Sequence, residues 1–115
     1  MFEVRADTGR DGVVVVRAVG EVDMTVSAVL EQTLLDAAHQ GDARRIVVDL
    51  ERLHFLDSSG VHALVRGYQA VSDTGGSLTA RNATGVVARV LYITGVAEAL
   101  GMPVVEETDD YPKGA

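Results

Sequence analysis

Short β-branched runs alternate along this chain with longer segments of helical period, and that alternation restricts the fold more than any other feature. Val13 to Val19 reads Val-Val-Val-Val-Arg-Ala-Val between Gly12 and Gly20, too short for a good helix, which predicts a buried strand. Phe2 to Ala6 is its expected antiparallel partner, because Asp7-Thr8-Gly9-Arg10-Asp11-Gly12 between them is rich in turn formers. Arg45 to Leu50 and Ser77 to Arg81 read as further core strands, and Val104-Val105 as a final one. The intervening apolar residues change period. Val26, Val29, Leu30, Leu34, Ala37 and Ala38 recur at helical spacing, with Thr25 or Ser27 as the expected cap and Gly41 as the stop. Val61, Leu64, Val65, Tyr68 and Val71 share a second helical face that ends at Gly75-Gly76. Val87, Val90, Leu91 and Thr94 mark a third helix closed by Gly95, and Ala97 to Leu100 a further turn before Pro103. Such alternation predicts an α/β domain: a mixed, mostly parallel sheet of four to five strands, an N-terminal hairpin, and helices packed against the sheet.

A chain of 115 residues suits one domain, which excludes an enzyme with separate cofactor and substrate halves. Folding at this size buries about two-thirds of the extended chain's surface, enough for a real core. Seventeen acidic against ten basic residues give a formal net charge of −7, which repels polyanions and argues against direct binding to nucleic acid or an anionic membrane. Cysteine is absent, which removes thiol catalysis, disulfides and cysteine-ligated metals. The first residues, Met1-Phe2-Glu3-Val4-Arg5, do not open a secretory leader, and no apolar stretch reaches 18 residues. The expected location is cytoplasmic.

In open α/β sheets, function gathers where strand-to-helix loops converge at the carboxyl ends of the strands. Two such loops are polar beyond what the core requires, Gly20-Glu21-Val22-Asp23 and Asp57-Ser58-Ser59-Gly60. Ser58 and Ser59 immediately precede an apolar helical run, so either hydroxyl is a candidate helix cap. The functional alternative has one serine capping while the other faces outward as a phosphate acceptor, where the positive end of the helix and its free amides favour an anion. Catalysis fits the segment poorly. Leu56 stands where a nucleophile elbow needs glycine, and none of His39, His54 and His62 has a claim as the base. The histidines lack metal-ligand spacing, and Lys113, the only lysine, lies in the tail, far from any phosphate-cradling glycine loop. Asp23 and Asp57 together have the chemistry to hold Mg²⁺, but acids at loop starts more often cap amides, so neither metal nor cofactor is expected.

Gly20-Glu21-Val22-Asp23, Val48-Asp49-Leu50 leading into Phe55-Leu56-Asp57-Ser58-Ser59-Gly60, and Val87 to Gly95 come in an order and spacing that resembles the STAS domain, specifically the bacterial anti-sigma factor antagonists. The resemblance covers roughly residues 2 to 106 and implies one such domain over 1–106, with 107–115 a flexible tail. It implies a partner-switching regulator of transcription that is not itself an enzyme. Ser58 would be phosphorylated by an anti-sigma factor that is also an ATP-dependent serine kinase. The unphosphorylated form would bind that partner and free a sigma factor, and a serine phosphatase would restore it. Asp23, Asp57, Ser59, Gly60 and His62 would form the surface met by partner and kinase. Val61 and His62 depart from the family, whose members often place leucine and a small residue after the Ser-Gly pair. The imidazole of His62 would stand on the first helical turn beside the acceptor, positioned to contact a phosphate, to crowd a kinase, or simply to face solvent.

Three other readings are weaker. A phosphoacceptor receiver domain would also place an aspartate near residue 57, but Asp7 and Asp11 lie in a hairpin turn and Lys113 in the tail. A scaffold or sensor module of the same family would bind a partner or small ligand without phosphorylation. A small hydrolase lacks a nucleophile with its base.

Overall fold

A computed structural model describes residues 1–9, 11–40 and 45–103. Five strands and four helices follow in the order β1 (Phe2–Thr8), β2 (Val13–Val22), α1 (Ser27–Ala38), β3 (Arg45–Asp49), β4 (Leu53–Leu56), α2 (Ser58–Asp73), β5 (Ser77–Arg81), α3 (Gly85–Ile93) and α4 (Val96–Ala99). The sheet runs β1-β2-β3-β5, and β4 also pairs with β2. β1 is antiparallel to β2 and every other pairing is parallel. The expected α/β architecture with its N-terminal hairpin is therefore the observed one.

The long valine strand is central, pairing with β1, β3 and β4. Val14, Val16, Ala18 and Val22 are buried on one face, while Val13, Val15 and Val19 are half-buried and Arg17 and Glu21 exposed on the other. The buried row continues through Ile46 and Val48 of β3 and Leu78 and Ala80 of β5, and it meets Leu30 and Leu34 of α1, Leu64 and Val71 of α2, and Val87 and Leu91 of α3 in one core. α1 and α2 follow parallel strands, so they lie side by side on that face. Gly67 lets them touch, since a Cβ there would sit 2.8 Å from the Leu34 Cβ.

Three expectations need correction. β2 does not stop at Val19; it runs through Gly20 to Val22, so three of the four residues expected in a loop belong to the strand. Gly20 makes this possible with a φ of 101°, a conformation costly for other residues, and Met1 packs where its Cβ would be. β4 was missing from the sequence reading. It pairs Leu53 with Gly20, Phe55 with Glu21 and Leu56 with Val22, after a register shift at Gly20. Finally, no side chain of Thr25 or Ser27 caps α1, whose first turn is entered from Asp23. The expected stop at Gly41, the strand at Val104-Val105 and the tail at 107–115 lie outside the described residues. The chain leaving α4 does come alongside β5, where the Ala80 N–H donates to the Leu100 carbonyl at 2.9 Å.

Candidate functional site

Pairing of Val22 with Leu56 brings the ends of β2 and β4 level, so the next residue on each, Asp23 and Asp57, stand side by side. The Asp57 N–H donates to the Val22 carbonyl at 3.2 Å and ties the two loops together. Beyond each aspartate the chain makes the same local turn. Asp57 accepts from the Ser59 N–H at 3.0 Å and from the Ser59 hydroxyl at 2.5 Å. Asp23 accepts from the Thr25 N–H at 2.9 Å and from the Thr25 hydroxyl at 2.5 Å. A carboxylate two residues ahead of a hydroxyl residue favours this closure. The residue skipped over, Met24 after β2 and Ser58 as the first residue of α2, is left exposed.

The cap of α2 is therefore Asp57, and neither serine fills that place. Asp57 adopts the extended backbone of a cap and also accepts from the Gly60 N–H at 3.2 Å. The two serines consequently differ. Ser59 is half-buried with its hydroxyl engaged, whereas Ser58 is exposed and its hydroxyl has no hydrogen bond among the described residues. The amides of Ser59 and Gly60, expected to be free for an anion, are already taken by Asp57.

Gly60 is buried, and its place is structural. A Cβ there would overlap the Leu56 side chain and come within 3.0 Å of Val22 Cγ1, so only glycine lets the helix start this close to the strand ends. His62 is exposed on the first turn of α2; His54 is exposed on β4, and His39 closes α1.

Both aspartates are ionised at neutral pH. The Ser59 hydroxyl is the main cause holding the Asp57 carboxyl below its usual range, against burial and the neighbouring Asp23 charge, which push it up. The Thr25 hydroxyl and N–H hold Asp23 low in the same way. The ion pairs among the described residues lie elsewhere, linking Arg5, Asp7, Arg17, Asp49 and Arg81 across the face of the sheet that the helices leave open. Two carboxylates thus flank Ser58 with no cation paired to them among the described residues. No group of three or more residues with metal-ligating side chains occurs among the described residues, and none of their helices is long and apolar enough to cross a membrane.

Met24 and Phe55, 77% and 42% exposed, add apolar surface next to the acidic pair. Sequence reasoning passed over both. The signal for Met24 is an apolar residue set between Asp23 and Thr25 in a polar turn; Phe55, between His54 and Leu56 on β4, carries no comparable one.

Comparison with known proteins completes the description. The model of the family described as STAS domain matches residues 5–110. The chain is 28% identical to the anti-sigma F factor antagonist of Paenibacillus polymyxa over 95 residues, 83% of this chain and 80% of that protein. It is 30% identical to the anti-sigma-B factor antagonist of Bacillus subtilis (strain 168) over 92 residues, 80% of this chain and 83% of that one. The solved structure of the anti-sigma factor antagonist SpoIIAA in its unphosphorylated form superposes with a TM-score of 0.77 at 25% identity, covering 91% of this chain and 90% of that chain.

Proposed function

The chain belongs to the STAS domain family, and from that premise we propose that it is an anti-sigma factor antagonist switched by phosphorylation of Ser58. Unphosphorylated, it binds an anti-sigma factor that is also a serine kinase, and a sigma factor is released to activate transcription. The kinase spends ATP on Ser58, the complex separates, and a serine phosphatase resets it. The chain is substrate and ligand in this cycle rather than catalyst. It works in the cytoplasm, touching neither nucleic acid nor membrane.

One observation carries the choice of residue: Ser58 is exposed and its hydroxyl has no hydrogen bond among the described residues, while Ser59 beside it is tied to Asp57. The docking surface is the acidic pair Asp23 and Asp57 together with exposed Met24, on a loop held rigidly by β2, β4 and the start of α2. Phosphorylation adds about −1.5 to −2 charges between two carboxylates. A tenfold to hundredfold loss of partner affinity needs only about 1.4 to 2.8 kcal/mol, which needs no refolding.

Incubation with the cognate kinase and ATP, followed by fragmentation mass spectrometry, is expected to place a single phosphate on Ser58. Phosphate on Ser59, or on neither serine, would sink the assignment. In calorimetry Ser58→Ala is expected to bind the anti-sigma factor like the unmodified protein and Ser58→Asp at least tenfold more weakly. Equal affinity of the two variants would remove charge as the switch. Binding with no modification at all would favour a scaffold role.

A further inference from the structure

Resting on the reading that Ser58 is phosphorylated, we propose that His62 is the partner within the same chain of the phosphate on Ser58. Ser58 and His62 are residues i and i+4 of α2, both exposed. At that spacing Cβ atoms lie about 5 to 6 Å apart. Helical side chains lean toward the N-terminus, so the imidazole leans toward the serine.

The phosphate has few other places to find a donor. Asp57 already occupies the Ser59 and Gly60 amides at the head of the helix. Asp23 and Asp57 are carboxylates and repel it. Arg66 is eight residues along the helix from Ser58, about 12 Å at 1.5 Å per residue. His54 lies two strand residues and a turn upstream on β4. The elements packed against α2 offer Glu31 and Asp36 on α1, His54 on β4 and Arg81 on β5 as charged or titratable groups, and α2 itself adds Arg66, Tyr68 and Asp73. None of the ion pairs or side-chain hydrogen bonds among the described residues includes His62.

An imidazolium N–H donating to a phosphate oxygen is a charge-assisted bond that favours the dianion, so it draws the second phosphate proton off at lower pH. The same pair offsets part of the added charge.

Phosphoserine installed at position 58 during translation makes the test independent of any kinase. The second deprotonation of the phosphate, followed by ³¹P NMR, is expected about 0.5 pH unit lower in the otherwise native protein than in His62→Gln, with His54→Gln matching the native protein. Identical midpoints for the native protein and His62→Gln, or a shift caused by His54→Gln instead, overturn the pairing. Failure of the kinase to modify Ser58 would defeat the switch while leaving this titration to be read on its own.

Discussion

Ser58 and Ser59 are adjacent and chemically alike, and a single carboxylate makes them different. Asp57 closes a turn on Ser59 through both its amide and its hydroxyl and thereby takes the cap of α2. The cap is worth about 1 kcal/mol. Asp57→Ala is therefore expected to lower the unfolding free energy by that much, read as a lower urea midpoint with an unchanged slope. It is also expected to free the Ser59 hydroxyl, so that the kinase marks both serines. An unaltered midpoint with phosphate still confined to Ser58 would show that Asp57 neither caps nor selects.

Among the elements, the seam between α1 and α2 sets where the site sits, because the start of α2 is fixed by how closely the helix lies on its neighbours. Gly60 seats the first turn against Leu56 and Val22, and Gly67 lets α1 approach. Helix propensity alone favours alanine over glycine by about 0.5 to 1 kcal/mol. Overpacking costs about 1 to 3 kcal/mol, and the Leu34 Cβ cannot rotate out of the way. Gly67→Ala is thus expected to lower the melting temperature by several degrees, against its propensity gain. A rise in melting temperature would mean that the helices have room to part.

For the molecule as a whole, the two faces of the sheet use different physics. One is an aliphatic core. The other carries a ladder of ion pairs, and most of its members are too exposed to contribute much stability. Asp49 is the exception, with its side chain only 12% exposed. It accepts from the Glu51 N–H and the Asn82 amide and faces Arg81 and Arg17. Burial pushes its carboxyl up, and these hydrogen bonds and charges outweigh burial and hold it below the usual range. A depressed carboxylate stabilises the fold above its unfolded pKa and loses that contribution as pH falls toward its folded value. Stability measured by urea is expected to be level from pH 7 to 5 and to fall below about pH 4. Asp49→Asn is expected to cost about 1 to 2 kcal/mol at pH 7 and to flatten that acid slope. An unchanged slope in the variant would remove Asp49 from the acid response.

Periodicity belongs to neighbouring residues, so the α/β class, the hairpin, the three longer helices and the loop holding Ser58 were all legible from the order of side chains. Contacts between distant segments are not written in any local window. Leu53-His54-Phe55-Leu56 has no strand period of its own and is a strand because Gly20 to Val22 lies beside it. Gly20 passes through a conformation that ordinarily ends a strand because Met1 and Arg52 hold its two sides. Aspartate and serine are both good caps, so composition leaves the choice open among Asp57, Ser58 and Ser59. Only the seating of Gly60 on Leu56 and Val22, which fixes where the helix begins, decides that Asp57 caps and Ser58 is left free.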